Sequence, residues 1–214
     1  MKSVLIIGAG QFGCHIAKVM SELNCEIMAV DRNESSVNAI LPYVTNAQIG
    51  DGTNTEFLHS LGVSNYDVCI VSIGDNFQSS LEATALLKEC GAPLVISRAS
   101  NDVQEKFLLR NGADEVVYPE KQSAKRIAVK FSSDAILDFI ELDSEYSIYE
   151  MAMPKDWIGK TLIQLDIRRK HNINIISIKQ NGKVIVPHGE TVMEEDDVLY
   201  VIGDMKALRK CFKI

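Results

Sequence analysis

Three glycines and one acid suggest the first chemistry. Gly8, Gly10 and Gly13 fall in the run Gly8-Ala9-Gly10-Gln11-Phe12-Gly13, and Asp31 follows roughly 20 residues later, a spacing suited to nucleotide phosphates and ribose. Gly8 permits a tight turn and Gly10 lets phosphates approach the backbone. Gly13 lets a helix pack closely on the preceding strand, and the N–H groups at that helix start face the anion. Gln11 and Phe12 lie inside the same turn. Asp31 is placed to accept hydrogen bonds from ribose hydroxyls, while Arg32 beside it suits a 2′-phosphate, an adenine face or plain solvent.

Further along, Gly50-Asp51-Gly52-Thr53 reads either as a loop touching a base or as a turn that caps a helix. Ile73-Gly74 follows another apolar run, and Arg98 ends one, where a guanidinium can pair with phosphate oxygens. Glu120 opens a helical stretch; it complements the helix dipole or holds a cation bound to nucleotide phosphates.

The elements that must position these residues alternate. Val4 to Ile7 and Ile27 to Val30 are short apolar strands on either side of a helix carrying Ile16, Ala17, Met20 and Leu23. Strands at 47–49, 67–72, 94–97 and 115–118, separated by helices, complete six strand-like runs. This predicts an α/β fold, a Rossmann-type doubly wound parallel sheet, whose ligands lie beyond the carboxyl ends of the strands. The polar residues above all fall at or just past those ends. A helical stretch is expected from Glu120 to about Glu141, with apolar residues on more than one face. That surplus suits either a crossover to a second subunit or packing on the sheet edge.

From about residue 144 the pattern changes. Strands are expected at 146–153, 173–179, 183–186 and 197–203, with helices at 160–171 and 205–212. Asn181-Gly182 is a strong type I′ hairpin signal. The tail is therefore a small C-terminal α+β domain, and the division falls into 1–143 and 144–214.

The 214 residues, 46% of them hydrophobic, are sufficient for one large or two small cores. A formal net charge of −7 argues against nucleic acid as a partner and against attachment to anionic lipid by charge. No apolar stretch is long enough to span a bilayer, and Met1-Lys2-Ser3 leads straight into a strand, so a cytoplasmic protein is expected. The five cysteines are scattered without ligand spacing and read as buried or half-buried thiols. The four histidines, His15, His59, His171 and His188, have no partners at ligand spacing, and no catalytic constellation appears. The nucleotide then reads as a signal and the protein as no enzyme; the competing reading is an NAD(P)-dependent oxidoreductase or redox sensor.

Taken jointly, several stretches resemble the regulator-of-potassium-conductance (RCK) family, of the KtrA/TrkA type, over essentially the whole chain. They are Val4 to Gly13 with Asp31, the Gly50 to Thr53 loop, Ile73-Gly74, Arg98-Ala99, Gly112-Ala113-Asp114 with Tyr118-Pro119-Glu120, and Glu195 to Gly203. The resemblance implies an N-terminal RCK nucleotide-binding domain and a C-terminal RCK domain. It also implies a homodimer assembling into a higher-order ring, commonly an octamer, with the 124–140 helix as the dimer-forming crossover. Such a ring lies under a membrane potassium-translocating subunit (KtrB/TrkH-like), at the inner face of the cell membrane. ATP or ADP, or NAD(H) in some members, occupies the N-terminal crevice, and the acid matching Glu120 lies near a divalent or monovalent cation. Gln11 stands where many members carry Arg; being neutral, it leaves the choice among ATP, ADP and NAD open. Some relatives bind cyclic di-AMP at the C-terminal domain. The matching stretch is Ile163 to Ile175, with Asp166, Arg168, Arg169 and Asn174, together with Pro187 and His188.

Overall fold

Val4, Leu5, Ile6 and Ile7 are all buried, which is what a central parallel strand covered on both faces requires. In the computed structural model, which describes residues 1–214, they form β1 (Ser3–Ile7). The chain continues through α1 (Gln11–Glu22), β2 (Glu26–Asp31), α2 (Glu34–Ile40), β3 (Asn46–Ile49), α3 (Thr55–Ser60) and β4 (Val68–Val71). α4 (Phe77–Glu89), β5 (Val95–Arg98), α5 (Asp102–Arg110), β6 (Glu115–Val117) and α6 (Pro119–Lys130) follow. The strands form one six-stranded parallel sheet in the order β3-β2-β1-β4-β5-β6.

Alternate side chains of β1 serve opposite faces. Leu5 and Ile7 pack with Leu58, Ala83 and Leu87 from α3 and α4, whereas Val4 and Ile6 pack with Ala17 and Ile40 from α1 and α2. Burial of each Val, Leu or Ile side chain among them contributes about 2 kcal/mol. The strand order reverses between β1 and β4, so a crevice must open beyond their C-terminal ends. Caps fix where the helices begin: Asn33 Oδ1 accepts from Ser35 N at 2.9 Å, and Asn54 Oδ1 from Phe57 N at 2.9 Å.

Compactness divides the chain between Lys121 and Gln122, ahead of the 143/144 boundary expected from sequence. The cause is β7 (Ile136–Glu141), which pairs antiparallel with β8 (Tyr146–Ala152). This corrects the continuous helix expected over 120–141. α6 stops at Lys130; Ser133 Oγ then accepts from Ala135 N at 3.2 Å, and the chain re-enters as a strand burying Ile136 and Phe139. Apolar residues on several faces marked two successive elements there, a helix and a strand.

The second unit, Gln122–Ile214, also contains α7 (Leu162–Leu165), α8 (Ile167–His171), β9 (Asn174–Gln180), β10 (Lys183–Ile185), β11 (Val198–Asp204) and α9 (Met205–Phe212). Its five strands run in the order β10-β9-β11-β8-β7, with every pairing antiparallel. Met151, Ile178, Leu199 and Val201 fill the core, and Trp157 packs on Phe212 with ring centroids 4.9 Å apart. Asn181 and Gly182 adopt φ of 51° and 77°, the hairpin expected between β9 and β10.

The helix expected over 160–171 is broken at Asp166, whose φ is 50°. Thr161 opens α7 with a capping box: its Oγ1 accepts from Gln164 N, and Gln164 Oε1 accepts from Thr161 N at 2.9 Å. Thr161→Ala is expected to cost about 1 kcal/mol, read as a lowered urea midpoint with unchanged slope. An unchanged midpoint would show that tertiary contacts, and not the cap, hold α7.

Candidate functional site

The residues singled out from sequence over more than a hundred positions meet around one cavity of about 810 Å3 at the strand-order reversal. Gly8, Gly10, Gln11, Phe12, Asp31, Arg32, Asp51, Gly52, Thr53, Ile73, Gly74, Arg98 and Glu120 all line it. Gly13 does not; it is buried behind the turn, where a Cβ would overlap the Gly8 carbonyl oxygen and crowd Ser72 Oγ. Gly8 takes a φ of 102°, which an L side chain rarely adopts.

Gly10 differs from both. A Cβ there would meet nothing within 4 Å, so the fold itself leaves open space beside the turn. Gly10 is also the N-cap of α1 and supplies no side-chain cap, leaving the first N–H groups of a twelve-residue helix to be satisfied from the cavity. Asp31 holds the turn in place: Oδ2 accepts from Ala9 N at 2.7 Å and Oδ1 from Asn33 N at 2.8 Å. A carboxylate oxygen has a second lone pair, so Asp31 keeps acceptor capacity for hydroxyl donors.

Arg32 has a partner within the chain. Its Nη2 donates to Asp51 Oδ1 at 2.6 Å and to Thr53 Oγ1 at 2.7 Å, so it braces the loop carrying Gly52. Burial raises the Asp51 carboxyl, but the Thr53 hydroxyl and amide and the Arg32 guanidinium outweigh it and hold the group below the usual carboxylate range. This role is not among those the sequence offers for Arg32, because both partners lie some twenty positions away.

Arg98 ends β5 under the opposite wall. Its guanidinium lies 5.4 Å from the Phe12 ring centroid, crowds the space a Cβ at Gly74 would take, and donates from Nη2 to Glu120 Oε1 at 2.5 Å. Its Nε is buried without a hydrogen-bond partner. Glu120 is held below its ordinary range by its own backbone N–H and then by Arg98. The chain gathers no group of three His, Cys, Asp or Glu side chains able to hold a metal ion.

An uncapped helix start, open space at Gly10, acceptor capacity on Asp31 and an unpartnered Arg98 Nε fit a phosphorylated ribose compound. The sequence reading missed His15, Ser36, Asp75, Asn76 and Ser79 in the lining. Asn76 was within reach: like Asn33 it caps a helix just past a strand end, accepting from Ser79 N at 3.0 Å. Ser36 and Ser79 lie one turn into those helices and carry no marker in sequence.

In the second unit, Ile163 is exposed and its N–H donates to the Gly189 carbonyl at 3.0 Å, which brings it beside the Pro187-His188 segment. Asp166 pairs with Arg169 at 3.2 Å.

Comparison with known proteins extends over the same residues. The TrkA-N domain family matches residues 4–119 and the TrkA-C domain family residues 147–214. The Ktr system potassium uptake protein C of Bacillus subtilis (strain 168) is 42% identical over 205 residues, covering 95% of this chain and 93% of that protein. The Ktr system potassium uptake protein A of the same organism is 37% identical over 210 residues, covering 98% and 95%. Among solved structures, the GsuK channel bound to NAD superposes with a TM-score of 0.68 at 18% identity, over 99% of this chain and 39% of that one. The GsuK RCK domain gives 0.67 at 19% identity, over 97% and 46%, a likeness of fold.

Proposed function

The chain belongs to the RCK family of the KtrA/TrkA type, with a TrkA-N domain followed by a TrkA-C domain, and from that membership we propose that it is the nucleotide-sensing regulatory subunit of a potassium uptake system. The observation that carries the reading is the crevice at the β1/β4 reversal, with α1 uncapped at Gly10 and Asp31 bonded to the same turn at Ala9. Proteins over 35% identical along nearly their whole length are potassium uptake proteins A and C of a Ktr system.

In this reading the phosphates lie on the start of α1 and against Arg98, the ribose on Asp31, and the base toward the Gly50–Thr53 loop. ATP, ADP and NAD(H) share these groups, and neutral Gln11 adds no charge that favours a third phosphate. A cation at Glu120 takes its remaining ligands from the phosphates or from another copy of the chain. The partner is a membrane potassium-translocating subunit, so the protein works at the inner face of the membrane. Exposed Ile127, Phe131, Ile140 and Leu142 support a homodimer through the α6–β7 region and assembly into a ring. A nucleotide gates only through unequal affinity for two shapes of such an assembly.

Arg98→Ala is expected to weaken ATP by about tenfold and leave adenosine nearly unchanged, because charge-assisted bonds to phosphate are lost. Equal loss for both would remove the phosphate role. Asp31→Ala is expected to abolish potassium-uptake complementation in a transport-deficient strain. Full complementation by Asp31→Ala would detach potassium uptake from this crevice, and steady NADH turnover by the native protein with a small carbonyl substrate would favour an enzyme instead. Cyclic di-AMP is proposed as a second ligand beside Ile163, Arg168 and His188; calorimetry on the full chain showing no saturable heat would remove it.

A further inference from the structure

One end of the second unit collects positive charge in a chain whose formal net charge is −7. Lys160, Lys170, Lys210 and Lys213 line a cavity of about 480 Å3, with Asp156 as the one carboxylate side chain among the lining residues. Asp156 is taken by Lys213 Nζ at 2.9 Å, and Lys170 Nζ donates to the Leu165 carbonyl at 2.9 Å. Neither Lys160 nor Lys210 has an ion-pair partner. Lys213 first and Lys160 more weakly hold the Asp156 carboxyl below its usual range.

His171, which lines the cavity, carries a polar atom that the fold leaves unused. His171 Nδ1 is buried and has no hydrogen-bond partner, while Trp157 and Ile167, both buried, give the cavity an apolar wall. A plainer account has the lysines complement the C-terminal dipoles of α8 and α9. That explains charge near the two helix ends. It explains neither the concavity nor the unpartnered imidazole nitrogen, which in isolation is a net cost to folding.

We propose that this cavity is a binding site for a small phosphorylated anion, held by the ammonium groups of Lys160 and Lys210 and by His171 Nδ1. A phosphoryl group offers acceptor oxygens to three separate donors at once, and the tautomer with a proton on Nδ1 gives that nitrogen its missing bond. Trp157 supplies a face on which an organic portion of the ligand can rest. The site shares no residue with the crevice of the first unit, and it does not use Arg168, Arg169, Asn174, Pro187 or His188. A concave site suits a free solute; a lipid headgroup offers the same phosphoryl chemistry on a flat surface.

Trp157 is the only tryptophan in the chain and lines the cavity, so its emission reports on the site directly. Titration of the full chain with inorganic pyrophosphate is expected to change that emission saturably. The double variant Lys160→Ala, Lys210→Ala is expected to lose at least about tenfold in affinity, and Lys160→Arg, Lys210→Arg to retain it. Both lysines are exposed, so neither change threatens the fold. Arg98→Ala, in the other unit, should leave the response intact. A silent Trp157, equal affinity in the alanine double variant, or loss of the response in Arg98→Ala would each overturn the inference. So would co-sedimentation with vesicles of phosphatidylglycerol and phosphatidylcholine accompanied by no response to pyrophosphate, which would assign the charge to a membrane surface.

Discussion

Gly10→Asp is expected to abolish nucleotide binding while leaving the protein folded. Glycine at this position is not demanded by the fold, since a Cβ would meet nothing within 4 Å. What the substitution does is fill the open space and put a carboxylate where phosphates would approach the first turn of α1. Like charges brought together in such a site cost several kcal/mol, at least about a hundredfold in affinity. The measurement is calorimetry with ATP, ADP and NAD beside a thermal melt. Undiminished affinity in the variant would move the ligand out of this crevice. A collapsed melting temperature would show that Gly10 carries the fold after all.

Gly13→Val should behave in the opposite way. Here a Cβ overlaps the Gly8 carbonyl oxygen and presses on Ser72 Oγ, and that hydroxyl itself donates to the Gly8 carbonyl. The crowding atom is backbone, so no side-chain rotation relieves it. Either α1 moves away from β1 or the turn at Gly8 opens. Overpacking of this kind costs about 3 kcal/mol, a large share of a domain's stability. The check is the urea midpoint of Gly13→Val against Gly13→Ala and the native chain. A graded loss from Ala to Val is the expected result, and a Val variant as stable as the native protein would contradict the packing account. Two glycines three positions apart thus serve different ends: one leaves room for a ligand, the other makes room for a helix.

Much of this was legible in the residues. The run Val4 to Ile7 followed by Gly8 defined the central strand and the turn, because a continuous apolar tetrad feeding glycine suits little else. Asn181-Gly182 marked its hairpin because both residues tolerate positive φ. The strand-end rule then brought together residues as distant as Gly8 and Glu120 without any knowledge of contacts.

What escaped the sequence depended on partners. Arg32 looked free for a ligand, yet Asp51 and Thr53, some twenty positions away, hold it, and no local pattern announces such a pairing. The stretch from Glu120 to Glu141 read as one helix because Ala124, Ile127, Ala128 and Phe131 continue into Ile136, Leu137 and Ile140. Only pairing with β8 turns the second half into a strand. His171 likewise gave no sign that its Nδ1 would be enclosed without a partner.

Nucleotide in the first crevice is proposed to govern potassium flux. The most direct test is rubidium-tracer flux through vesicles holding a Ktr-type membrane subunit together with this protein, with and without nucleotide, for the native chain and for Gly10→Asp. The flux is expected to depend on nucleotide with the native chain and to be indifferent to nucleotide with Gly10→Asp. The same nucleotide dependence in both would contradict this.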